Sequence, residues 1–154
     1  MDDMRMKLRT ARIIGASMLA VMPMYLLIEE IYRAKFSPFL GLVRTGNKQP
    51  LRFGFYAAAA AVIVVLRLVN GWLLRPRPET DRAAVLQRLM NASIVSLSLA
   101  DMPALLGLAL FFLGGFNRDF YILLGVSLIL MFMYFPRPNV WEARLRNFAP
   151  GCPF

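Results

Sequence analysis

The amino-acid sequence predicts an all-α integral membrane protein with four transmembrane helices, arranged as antiparallel hairpins with both termini cytoplasmic. Three observations carry this. Hydrophobic residues make up 58% of the chain and charged residues 18%, against about 45–50% and about 25% in soluble domains. The apolar excess falls in four long runs. The 18 Lys and Arg outnumber the 9 Asp and Glu and sit mostly between those runs. All of 1–154 therefore reads as one membrane domain.

The first run, 13–31, follows a basic arm bearing Arg5, Lys7, Arg9 and Arg12. It is too long for a signal-peptide core and no small-residue cleavage site follows, so it is expected to be a signal-anchor helix. The second run, 53–74, contains Arg67 and Asn70; the third, 89–113, contains Asp101. The fourth, 120–135, is the shortest and is closed by Pro136. Roughly 20 helical residues cross about 30 Å of hydrocarbon, so the fourth must borrow interfacial residues or thin the bilayer locally.

The connections differ in character. Segment 33–52 is rich in turn residues (Ser37, Pro38, Gly41, Gly46, Asn47, Pro50). Segment 75–88 reads as a cytoplasmic turn feeding the third helix, with Thr80 or Asp81 as N-cap. The link 114–119 is short, which predicts an antiparallel hairpin of runs three and four. The tail, 137–154, reads as a cytoplasmic interfacial segment with Trp141 at headgroup level. With the N-terminus inside, 11 Lys and Arg fall in cytoplasmic segments and 6 in outer loops, and this bias sets the orientation. A weak internal echo, Arg12-x-x-x-Ala16-Ser17 against Arg88-x-x-x-Ala92-Ser93, is accounted for by hairpin duplication or by restricted composition alone.

Composition also excludes chemistry. The chain has no histidine and a single cysteine, Cys152. Histidine catalysis, a His/Cys zinc site and a disulfide framework are therefore ruled out. There is no Gly-rich phosphate loop, cofactor signature or nucleophile elbow. The expectation is a non-enzymatic protein without cofactor or metal. Its net charge of +9 would suggest nucleic acid in a soluble protein. Here the cations lie between spans, so they are read as topogenic and as attracted to anionic headgroups. The expected partners are membrane lipids and other membrane subunits or further copies of the chain, with no nucleic acid. The expected location is the inner (cytoplasmic) membrane, as a multi-pass protein.

Asp101 is the candidate functional residue. It stands twelve residues from either end of its run, near the expected bilayer midplane. Insertion of a carboxylate there costs roughly 2.5–3.5 kcal/mol, and an intramembrane acid is by default a functional hypothesis. Away from water the charged form is disfavoured, so such a group can take up and release a proton. Ser98, one turn earlier, can hydrogen-bond it. Pro103 lacks an N–H, which frees the Leu99 carbonyl as an acceptor. Ala100, Ala104 and Gly107 are small enough for neighbouring helices to approach closely.

The stretch Leu99-Ala100-Asp101-Met102-Pro103-Ala104-Leu105-Leu106-Gly107-Leu108 resembles the carboxylate-bearing helix of rotor-ring proteolipids, the c subunits of rotary ATP synthases and their vacuolar-type relatives. Arg77-Pro78-Glu79 resembles the polar loop that precedes that helix. The likeness covers about 53–113, and further helices flank it on both sides. It implies that Asp101 is a proton-carrying carboxylate on a two-helix hairpin able to pack into a ring against an arginine-bearing stator subunit. Met102 stands where sodium-binding members place a polar ligand, which implies protons rather than sodium.

Two other readings remain open at this level. Arg67 lies within reach of Asp101, so an ion pair would make Asp101 the polar glue of a structural or assembly subunit. The favoured alternative for Arg67 is snorkelling to the inner surface beside Asn70 and Trp72. Glu29 and Glu30 are expected to be an interfacial acidic pair balanced by Arg33 and Lys35; the sharper alternative is a proton or cation entry site. Adjacent helical positions point about 100° apart, a poor metal clamp.

Overall fold

The computed structural model describes residues 2–36, 41–42, 48–73 and 82–136. They form four helices: α1 (Asp2–Lys35), α2 (Gln49–Leu73), α3 (Arg82–Gly114) and α4 (Asn117–Tyr134). All four are long and apolar enough to cross a membrane. The N-cap candidates Thr80 and Asp81, the tail with Trp141, and Cys152 lie outside the described residues.

Helices α1 and α3 begin well before their apolar runs. With 34 and 33 residues they are each about 50 Å long, some 20 Å more than a bilayer core requires. The excess is a packed stub. Leu8 and Ala11 of α1 are buried against Val85, Leu86 and Leu89 of α3. A basic arm and a turn were expected there; good helix formers with apolar residues at helical spacing extend both helices instead. By contrast, the 18 residues of α4 span only about 27 Å.

Helix α3 is the axis of the bundle. It packs along α4, α2 and α1, whereas α1 scarcely meets α2, and α2 scarcely meets α4. Thus α3 and α4 form the expected antiparallel hairpin, but α1 and α2 do not form one. The described residues between them, Gly41, Leu42 and Lys48, lie against the end of α3. Leu42 N–H donates to the Phe112 carbonyl (3.0 Å) and Lys48 Nζ to the Gly114 carbonyl (3.0 Å). Gly41 is needed at this contact. Its φ is +82°, and a Cβ there would lie 2.6 Å from both the Gly114 carbonyl carbon and the Leu113 oxygen.

Burial follows this layout. In the most apolar window of each helix, 44% of α3 is buried but only 11% of α2. Small residues make the three-sided packing of α3 possible. Ala100 and Ala104 are fully buried in a cluster with Met22 of α1, Leu66 of α2 and Met131 of α4. Close backbone approach through small side chains is how helices associate when the surroundings are as apolar as the interface.

Candidate functional site

Three carboxylates are withdrawn into this bundle, and each accepts a hydrogen bond from a tyrosine hydroxyl. Tyr25 Oη of α1 donates to Asp101 Oδ2 of α3 (3.1 Å). Tyr121 Oη of α4 donates to Glu29 Oε2 of α1 (2.7 Å). Tyr56 Oη of α2 donates to Asp119 Oδ1 of α4 (2.8 Å). Their settings differ in the cation each receives.

Asp119 is ion-paired. Arg52 donates to its Oδ1 at 2.8 Å, with the guanidinium carbon 5.9 Å from the Tyr56 ring centroid. The acid also lies in the first turn of α4, where the helix dipole favours negative charge. Its side chain is 3% exposed and that of Arg52 41%, so this is a clasp closed from the surface side. It joins α2 to α4, two helices that otherwise barely touch. Removing the cation from a buried carboxylate is more damaging than removing one neutral donor. Arg52→Met is therefore expected to lower the melting temperature in detergent more than Tyr56→Phe does. Equal effects in a thermal unfolding series would remove the ion pair from this account.

Asp101 and Glu29 have no such partner. Among the described residues neither makes an ion pair, and Asp101 Oδ1 and Glu29 Oε1 are buried without a hydrogen-bond partner. Glu29 is completely buried. A buried polar atom left unpaired costs about 1–3 kcal/mol, and more if charged, so each of these oxygens calls for an explanation.

Depth can be read from α4. Ser127 Oγ donates to the carbonyl of Ala100, the residue before Asp101, at 2.6 Å. Ser127 is ten residues from the start of α4 and seven from its end, so Asp101 sits near mid-depth of the α3–α4 hairpin. Pro103 is buried and stays within an unbroken α3. Gly107 is a close α3–α4 approach: a Cβ there would lie 3.0 Å from Leu123 Cβ and 3.3 Å from the Phe120 carbonyl oxygen.

Two expected partners of Asp101 do not engage it. Ser98 makes no hydrogen bond to the carboxyl, whose accepted bond comes from Tyr25 on another helix. Arg67 forms no ion pair with Asp101. Its neighbour Leu66 is buried in the same cluster as Ala100, but Arg67 itself points to the exposed side of α2. The reason is helical geometry: Leu66 takes the inward position, and the next residue is turned by about 100°.

The acidic pair on α1 is also divided. Glu30 is exposed and pairs with Arg33 (3.1 Å), in line with the interfacial reading. Glu29 is turned inward to Tyr121. A signal for this exists in the sequence. Leu8, Ala11, Gly15, Met18, Met22, Tyr25 and Glu29 recur at alternating spacings of three and four, the 3.5-residue seam by which one helix packs along another. Tyr25 and Glu29 occupy seam positions, and Glu30 does not. Asp119 shares a face with Leu123, Ser127 and Met131 at four-residue spacing.

Chemically, the arrangement supplies two uncharged-partner carboxyls joined by one helix face. It offers no set of three His, Cys, Asp or Glu side chains for a metal ion among the described residues. Comparison with family models, with curated proteins and with solved structures finds no match to this chain.

Proposed function

We propose that this protein is a small multi-pass membrane subunit in which Asp101 binds and releases a proton. In this reading it is non-enzymatic, has both termini on the cytoplasmic side of the inner membrane, and works beside other membrane subunits or further copies of itself. One observation carries it: Asp101 Oδ1 is buried without a hydrogen-bond partner among the described residues while Oδ2 accepts only the neutral Tyr25 hydroxyl. A carboxyl held this way, with no cation on it, has little to fix it in the ionised form, and its free oxygen is where a proton would reside. The resemblance of 99–108 to the carboxylate helix of rotor-ring proteolipids supports the same role, although the Tyr25 partner comes from α1, outside the resembling segment.

A hydrophobic carbodiimide tests this, because it modifies protonated carboxyls from the lipid phase. Slow labelling at Asp101 that falls as pH rises, and that is lost in Asp101→Asn, is expected. Absence of labelling, with Asp101→Asn harmless to proton transport but damaging to stability, would favour a second reading. That reading is a structural or assembly subunit, and the Tyr25–Asp101 bond between α1 and α3 is the observation behind it.

A further inference from the structure

We propose that the exposed face of α2 is the docking site for a transmembrane helix of a different membrane protein, one that carries an aspartate or glutamate at mid-depth to pair with Arg67. This inference does not use Asp101. Phe53, Ala57, Ala60, Val64, Arg67 and Gly71 recur at alternating spacings of four and three along α2, and every one of them is exposed. The helix therefore turns a complete packing seam away from the bundle. Ala57, Ala60 and Gly71 leave room for a second backbone, and a Cβ at Gly71 would meet nothing within 4 Å. Only 11% of the most apolar window of α2 is buried in the chain's own fold.

Arg67 decides what covers this seam. Its neighbour Leu66 packs in one cluster with Ala100 and Ala104, so Arg67 stands near mid-depth of the bundle. It makes no ion pair among the described residues. Charged side chains at this depth almost always pair with one another or with backbone carbonyls. Snorkelling is a poor substitute here. The near end of α2, Leu73, is six residues on, about 9 Å along the axis. The Cα–Cβ bonds of a helix tilt towards its N-terminus, and for α2 that is the farther end. A second copy of this chain does not supply the acid. Asp2, Asp3, Glu79, Asp81 and Glu142 stand outside the apolar runs. Glu29, Glu30 and Asp119 belong to the opposite end of the bundle, near the end of α1 and in the first turn of α4. Asp101 is at the right depth, but its Oδ1 is buried and its Oδ2 takes the Tyr25 hydroxyl. Two copies meeting α2 on α2 would set Arg67 against Arg67. A carboxylate on a foreign helix remains, and a guanidinium can bond it through two parallel N–H groups.

Fluorescence energy transfer in mixed micelles tests this. The donor is the full chain labelled at its single cysteine, Cys152, and the acceptor is a synthetic transmembrane helix of Leu and Ala with one Asp at its centre. The Asp peptide should bind about tenfold more tightly than the same peptide with Leu there, and a Lys peptide less tightly than either. Arg67 is exposed, so Arg67→Leu keeps the fold, and it should abolish the preference for Asp. Ala60→Phe keeps Arg67 but obstructs the seam two turns away, and it should weaken binding of the Asp peptide too. Equal binding of the Asp and Leu peptides, or a preference for Asp that survives Arg67→Leu, overturns the proposal. Energy transfer between copies of the chain that is lost in Arg67→Leu makes the occupant a second copy. Binding of phosphatidylglycerol in place of the peptide, dependent on Arg67, makes it a lipid headgroup. Either result overturns the assignment to a different protein. Asp101→Asn should bind the Asp peptide as the native chain does, so failure here leaves the Asp101 reading standing.

Discussion

Gly107→Leu is expected to part α3 from α4 and to cause the largest loss of stability of any single substitution near the site. The groups that face Gly107 are Leu123 Cβ, the Phe120 carbonyl oxygen and the Phe120 Cα. None of them is the tip of a flexible side chain, so nothing can swing aside. Even Gly107→Ala sets opposing effects against each other. It gains up to about 1 kcal/mol of helix propensity and loses about 1–3 kcal/mol to overpacking. Leucine keeps that conflict and adds three carbons for which there is no room. As α3 and α4 separate, the 2.6 Å bond from Ser127 to the Ala100 carbonyl, two turns away, is lost as well. Denaturation in mixed micelles should show a progressive decline from Gly to Ala to Leu. Because the obstructing Leu123 atom is its Cβ, Leu123→Ala should not rescue either variant. A Gly107→Leu protein as stable as the native one would mean that the α3–α4 approach is not the close one described.

The four helices were legible in the sequence because each apolar run is longer than a soluble helix needs and ends in polar residues. Of their pairings, the α3–α4 hairpin was legible from its short link and the packing of α1 and α2 was not. When lipid is as apolar as the packed face, hydropathy does not separate the two. Small residues line the contacts of α3 at Ala100, Ala104 and Gly107, but the Ala57–Ala61 run of the little-buried α2 shows that small residues alone do not mark the central helix. The contacts of Gly41 and Lys48 with the end of α3 are a tertiary feature that loop composition does not encode.

The acids divide the same way. Asp101 stood out because it interrupts an apolar run. Glu29 was read chiefly as half of an interfacial pair and Asp119 was passed over, because both lie near run ends, where carboxylates are ordinary. What distinguishes Glu29 from its neighbour Glu30 is seam position, and a residue-by-residue register along α1 separates them where a hydropathy window cannot. The partners of the acids were the least legible part. Arg67 and Ser98 are near Asp101 in depth or sequence, but the bond comes from a tyrosine 76 residues away in the chain.

That bond yields the second large expectation, and it separates the two readings of Asp101. Tyr25→Phe alone leaves both Asp101 oxygens without a donor among the described residues. It should cost about 1–2 kcal/mol, toward the lower part of the range for an unsatisfied buried group because Asp101 is only partly buried. Asp101→Leu alone leaves the Tyr25 hydroxyl unpaired and should also be unfavourable, offset by the apolar contacts leucine gains. Combining Tyr25→Phe with Asp101→Leu removes donor and acceptor together, and replacing both by apolar groups is close to neutral or stabilising. The double-mutant cycle should therefore show the two substitutions to be non-additive, with a double variant at least as stable as the native protein and unable to take up a proton at this site. If Asp101 served as interhelical glue, the double variant would instead be the least stable of the set, and denaturation in mixed micelles distinguishes the two orders. Interhelical hydrogen bonds in membranes average only about 0.6 kcal/mol, too little to offset the roughly 2.5–3.5 kcal/mol of inserting an acid at mid-depth. On that balance the fold would be better served by leucine, which is the order of stabilities that the proton-binding proposal for Asp101 expects.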